Sequence, residues 1–264
     1  MSPNDLSTLI KAISSDHVVA FFLVAARVTP LFLVAPLFSS PLMPVRVKGI
    51  VALALTIGLT PFAAHGQQLP SEPLAVLGLM LAGLLVGFTF AFAVGCVFAA
   101  VQGAGVLSDS LTGFSFGSTV DPVNGNQGGA LTNFYSFVGL AVFLAIGCDA
   151  WMLRGIQATF RVIPIGRGPR LDSIVGGAVQ MFGTVFVGAV EVAAPILLAL
   201  VITDIGFGMV AKVVPQLNVF AVGFPVKVGV GLLVVMVSMP FLGSWMTSQL
   251  DTSVGAALHS LQIA

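Results

Sequence analysis

Six charged side chains sit in or beside apolar sequence and are the first candidates for chemistry: Arg27, Asp149, Glu191, Asp204, Lys212 and Lys227. An ionised group in an apolar helix is costly unless it is paired or wet, so each of these demands a partner. Two chemistries follow. Glu191 and Asp204 could meet basic groups, Lys212 or Lys227 among them, within a helix assembly; or they could relay protons, as carboxylates in membrane pumps do. No His accompanies them in the same stretches, which weighs toward structural pairing. His17, His65 and His259 are scattered and read as interfacial or loop residues rather than catalytic bases. Cys96 and Cys148 occupy separate apolar segments without a neighbouring His or second Cys, so both read as packing residues. No nucleophile and base share a recognisable motif, and no metal spacing or cofactor signature occurs. The chain reads as a non-enzyme with neither cofactor nor metal.

The elements that carry these residues follow from composition. Of 264 residues 57% are hydrophobic and 8% charged, where soluble domains carry roughly a quarter charged. Ten Lys plus Arg balance ten Asp plus Glu, so no net charge steers the chain toward nucleic acid. Asp5, Lys11 and Asp16 replace the basic start of a signal peptide, and none is expected. Apolar stretches run over 18–38, 49–64, 74–105, 131–153, 174–203 and 228–249, with a mixed stretch before the last. A bilayer needs roughly 20 apolar residues, so 49–64 is short for a span. Residues 73–108 and 122–148 lack any charge and are the most secure helices. Pro30 and Pro36 should bend the first segment, Pro61 close the second and Pro195 bend the fifth. The expectation is an all-α polytopic membrane protein of long kinked helices and helical hairpins, built as one domain over 1–264.

Basic residues mark the cytoplasmic side of membrane helices. Arg46 and Lys48 are separated by three segments from Arg154, Arg161, Arg167 and Arg170, which simple alternation puts on opposite faces. Either one segment fails to cross or the helices form hairpins, and the chain reads as a subunit rather than a freestanding bundle.

Gly83, Gly87, Ala91, Gly95, Ala99 and Gly103 fall at successive i+4 positions and form a helix-packing groove. Small residues at that spacing let helix backbones approach closely, within the chain or against a partner. Phe88, Phe90, Phe92 and Phe98 lie elsewhere on the same segment and read as packing, not as a ligand box. After Asp109 comes a segment unlike any other, with glycines at 113, 117, 125, 128 and 129, Pro122 after Asp121, and two rings, Phe114 and Phe116. Glycine permits positive φ and proline disfavours helix before it, so regular structure should stop here. Irregular backbone at membrane depth survives only inside protein or beside water. A loop folded into a pore and an extramembrane connector with a hydrophobic foot both fit. Gly125 to Gly129 lacks the Lys and Ser or Thr ending of a phosphate loop.

Arg27-Val28-Thr29-Pro30 with Ala35-Pro36-Leu37-Phe38, then Pro44-Val45-Arg46-Val47-Lys48, resembles the opening of the FliR family of flagellar biosynthetic proteins. Gly113-Phe114-Ser115-Phe116 leading to Asp121-Pro122 is similar to that family's central loop. Val214-Pro215-Gln216-Leu217-Asn218-Val219-Phe220, then Gly223-Phe224-Pro225-Val226-Lys227, resembles its C-terminal signature. The resemblance implies a core subunit of the type III export gate in the bacterial inner membrane and flagellar basal body. There it would join FliP and FliQ homologues, with an FlhB homologue nearby and unfolded flagellar proteins in transit. It also implies a FliP-like part over about 1–165 and a FliQ-like part over about 166–264, with hairpins lifted partly out of the bilayer. The central loop would act as channel plug, a role carried onto Gly113, Phe114, Ser115, Phe116, Gly117, Asp121 and Pro122. Buried charge or assembly contacts are expected at Arg27, Glu191, Asp204, Lys212, Pro215, Asn218 and Lys227. One departure is Asp149-Ala150-Trp151, where the family pattern suggests Gly and His after the acid.

The related virulence-secretion branch is the nearest alternative. A proton-coupled secondary transporter is the rival from another class, with helices broken near Pro195 and Pro225 and Glu191 or Asp204 moving protons.

Overall fold

The computed structural model describes residues 15–40, 43–67, 69, 70, 72–115, 129–216 and 218–262. Every regular element among them is a helix: α1 Ser15–Val34, α2 Pro36–Ser39, α3 Val45–Ala64, α4 Pro73–Thr112, α5 Ala130–Ala145, α6 Cys148–Val162, α7 Leu171–Val213 and α8 Val219–Gln262. Five are long and apolar enough to cross a membrane, and Ala130–Ala145 with Ala150–Val162 pass that test only together. The second segment starts earlier than expected, at Val45, and its 20 residues suffice for a span; Pro61 lies inside it. The charge-free run 122–148 is interrupted, because Gly147 adopts φ +70° after Ile146 N–H donates to the Val142 carbonyl and ends α5. The mixed stretch after 203 continues α7 to Val213, and α8 begins at Val219.

Buried hydroxyls are made tolerable locally. Thr56, Thr60, Thr89 and Ser108 each donate to the carbonyl four residues back, so none of these four hydroxyls is left bare on an apolar helix.

The chain divides into two compact units, each discontinuous in sequence. One contains the described residues up to Gly95 with Cys148–Met181 and Thr252 onward; the other contains Cys96–Gly147 and Phe182–Asp251. In the first, α1 packs along α3. Gly83 of α4 lies 3.4 Å, by its would-be Cβ, from the Leu23 carbonyl, Gly87 lies against the Arg27 carbonyl, and Gly95 lies against Val34. Both helices advance together through these contacts, so α1 and α4 run parallel with backbones touching.

In the second unit the register is antiparallel. Gly105 of α4 faces Thr132 of α5 and Gly139 faces Val101, while Phe98 meets Phe143 edge to face at 5.0 Å. Gly188 of α7 faces Trp245 of α8 and Gly223 faces Phe207. These are two hairpins, one closing through 113–129 and the other through 214–218. Their shared core contains Val101, Ala104, Leu131, Tyr135, Ile196 and Val235.

Candidate functional site

The candidate site is the base of the loop between α4 and α5, within the second unit. Helix α4 continues three residues past the acid where irregularity was expected, ending at Thr112. Gly113 then turns the chain with φ +93°, a region that side-chain-bearing residues rarely occupy. Helix α5 begins at Ala130, and its N-cap, Gly129, has no side chain with which to satisfy the first amides. Asp109 of α4 does this from across the hairpin. Its Oδ1 accepts the Leu131 N–H at 2.9 Å, and its Oδ2 accepts the Thr132 N–H at 2.8 Å and the Thr132 hydroxyl at 2.6 Å. The carboxylate is only 2% exposed, and it sits where the dipole of α5 is positive.

Glycine makes the approach possible. A Cβ on Gly129 would collide with the Asp109 carboxylate, and one on Gly105 would stand 2.6 Å from the Thr132 Cα. The two ends of the loop are thus clamped by one acid, two amides and a hydroxyl. Phe114, just past the turn, is half-buried; its ring meets Phe224 of α8 edge to face at 6.1 Å and packs on the hairpin core. Phe116, Gly117, Asp121 and Pro122 lie outside the described residues, and Ser115 is half-buried beside Phe114.

Asp109 is the residue that sequence reasoning missed as a site. It is the one charge between Glu72 and Asp121, and a lone acid in a long apolar helix requires donors. That signal was present; the identity of the donors, backbone amides more than 20 residues later, was not.

Arg27 solves the same problem with the opposite sign in the first unit. Its side chain is 1% exposed. Nη1 donates to the Thr159 carbonyl at 3.2 Å and the Ile163 carbonyl at 2.7 Å, and the guanidinium lies 4.6 Å from the Phe160 ring centroid. It therefore caps the C-terminal end of α6, where carbonyls are unpaired and the helix dipole is negative. Its Nε has no hydrogen-bond partner among the described residues. Gly87 packs on the carbonyl of this same residue. Ala91 is fully buried, Ala99 is exposed, and Gly103 contacts Ala189. Gly83, Gly87 and Gly95 of the small-residue column therefore meet α1, whereas Ala99 and Gly103 do not continue that pattern.

The remaining charges divide. Asp204 forms its ion pair with Lys227, at 2.5 Å, across the α7–α8 hairpin. Glu191, expected to meet a basic group, instead accepts the Trp245 indole N–H at 2.8 Å. Lys212 is exposed in the last turn of α7, where a cation suits the dipole. Pro215 is exposed in the turn, and Asn218 Oδ1 accepts the Ala221 N–H to cap α8. The side chain of Asp149 lies outside the described ones. Arg161 lies 5.6 Å from the Phe62 ring centroid, at the end of α3 opposite Arg46 and Lys48. Arg161 thus sits toward the opposite end of this 20-residue helix from Arg46 and Lys48, 14 to 16 residues or about 20–25 Å away at 1.5 Å per residue. This agrees with simple alternation and conflicts with the expectation that basic residues mark one side of the membrane.

Long apolar helices, side chains that cap and clamp, and no metal-holding cluster of His, Cys, Asp and Glu among the described residues define a membrane protein whose polar groups position helices. The chain belongs to the family of bacterial export proteins, family 1, whose model matches residues 18–253; this is a family of export components, not of enzymes. It is 26% identical over 222 residues to the flagellar biosynthetic protein FliR of Pectobacterium carotovorum subsp. carotovorum, covering 84% of this chain and 85% of that protein. It is 29% identical over 225 residues to FliR of Bacillus subtilis strain 168, covering 83% and 86%. It is also 24% identical over 213 residues to the surface presentation of antigens protein SpaR of Salmonella typhimurium, covering 80% and 79%.

Proposed function

We propose that the chain is a core subunit of a flagellar type III protein export gate in the bacterial inner membrane and basal body. It forms part of the channel that passes unfolded flagellar proteins. The carrying observation is the family match over residues 18–253, which takes in most of each of the five long apolar helices. Homologues of FliP and FliQ complete the assembly, with an FlhB homologue alongside, and the chain itself combines a FliP-like part (about 1–165) with a FliQ-like part (about 166–264).

Helix length supports a subunit of a larger body. Helices α4, α7 and α8 have 40, 43 and 44 residues, about 60–65 Å at 1.5 Å per residue, against a hydrocarbon core of about 30 Å. Half of each must lie outside lipid, and neighbouring subunits supply a surface for it. Side chains such as Leu74, Val175, Val179, Met236 and Val237 are exposed on those helices.

In this reading Gly113 to Pro122 seals the bore. Phe114 and Phe116 exclude water while the glycines let a passing substrate displace them, and the Asp109 clamp keeps the loop's ends from moving with its tip. The virulence branch is the second reading, supported by the SpaR likeness.

The test is extraction of the tagged chain in mild detergent, with mass measurement of whatever copurifies. Small heterologous membrane subunits in fixed ratio are expected. A lone chain or a homodimer that moves a small solute on its own would replace the gate by a transporter.

A further inference from the structure

We infer that the exposed face of α7 around Glu191 is an interface for a neighbouring membrane polypeptide that brings a lysine or arginine to this carboxylate. The inference rests on the reading of the chain as a subunit.

Glu191 is the sole charge on α7 between Asp172 and Asp204. It is exposed, as is Ala194 one turn on, and Val187 and Leu198 continue the same stripe at 59% and 64% exposure. The spacing of four, three and four residues puts all of them on one helix face. An apolar stripe broken by one acid at mid-helix is poor in lipid, where the charge stands unpaired, and poor in water, where the apolar residues are exposed. It suits a protein surface.

The charge has no counterpart within its own unit. Lys212 and Lys227 are the only basic residues between Cys96 and Gly147 or between Phe182 and Asp251. Lys227 is held by Asp204, and Lys212 lies about six turns along α7 from Glu191, at 3.6 residues per turn. The cation must come from outside this unit.

The carboxylate is also held in place. Trp245 of α8 packs closely on α7 at Gly188, where a Cβ would stand 2.7 Å from the indole. Its Nε1 donates to Oε2 at 2.8 Å. An indole N–H satisfies one acceptor but supplies no positive charge. An exposed carboxylate held by an indole, among the exposed Val187, Ala194 and Leu198, is complementary to a basic side chain on an apolar helix.

The test uses the full tagged chain, made together with its natural neighbours and extracted in mild detergent. Glu191→Lys is expected to reduce the copurifying export subunits at least tenfold, while Glu191→Gln, which still accepts the indole N–H, retains more of them. A photoreactive side chain at Ala194 in the otherwise natural chain is expected to give a protein adduct of discrete mass, whose peptide contains Lys or Arg near the attachment point. Should Glu191→Lys fail to accumulate, this adduct decides alone. Equal recovery with Glu191→Lys, adducts to lipid only, or rapid alkylation of Glu191→Cys in the assembled complex by a membrane-impermeant maleimide would each overturn the inference, the last by showing an aqueous path. Failure of the natural chain to copurify with any subunit strikes the parent reading; loss of the Glu191 effect alone strikes only this one.

Discussion

Asp109 and Arg27 show how ionised groups survive in a chain this apolar: each is matched to the end of a helix rather than to an opposite charge. Helix termini leave amides or carbonyls unpaired and carry partial charge, so a buried carboxylate and a buried guanidinium find ready partners there. Loss of the partner is more damaging than the bond is worth, because the backbone groups are then stranded. Asp109→Ala should lower stability by about 2 kcal/mol or more, from loss of the cap and of charge-assisted bonds. Asp109→Asn should cost less, since its one carbonyl oxygen can still accept from one of the two amides. Thermal unfolding of the detergent-solubilised assembly, followed by tryptophan fluorescence, would read the order natural, Asn, Ala.

Parallel packing of α4 on α1 depends on glycine, and here sequence spacing alone is a poor guide to which glycines matter. Gly87 abuts the Arg27 backbone, whereas a Cβ on Gly78, earlier in α4, would meet nothing within 4 Å. Backbone cannot yield as a flexible side chain can, so Gly87→Ala should destabilise by about 1–3 kcal/mol through overpacking. Gly78→Ala should be neutral or mildly stabilising through helix propensity. Chain recovered from membranes and its melting temperature would separate the two. On the other hairpin, Asp204→Lys or Lys227→Asp alone leaves two like charges facing each other. The double exchange restores an opposite pair, so its thermal stability should exceed that of both single variants and approach the natural value. An exchange no better than either single change would show that the ion pair does not hold α7 to α8.

For the molecule as a whole, the consequence of the clamp is separation of loop from scaffold. Because Asp109 and Thr132 close the hairpin beneath the loop, removal of residues 113–122 should leave the α4–α5 pairing and subunit assembly intact. Under the proposed function such an assembly should conduct small ions through the membrane, measured as dye or ion flux from loaded vesicles. Full assembly with an unchanged, tight membrane would count against a plug.

Hydropathy was enough to read an all-helical membrane protein and the place where α4 gives way to a loop, because apolar length and glycine content act locally and need no partner. The ordered motifs from Arg27 to Lys227 likewise carried the family likeness, since they are linear strings. Partners were another matter. That Glu191 meets Trp245 while Asp204 meets Lys227, that Gly87 touches Arg27 while Ala99 is exposed, and that Asp109 caps a helix beginning more than 20 residues later all depend on helix register. A one-residue change turns a side chain by about 100° around the helix axis, so only the packed hairpins settle which groups face each other.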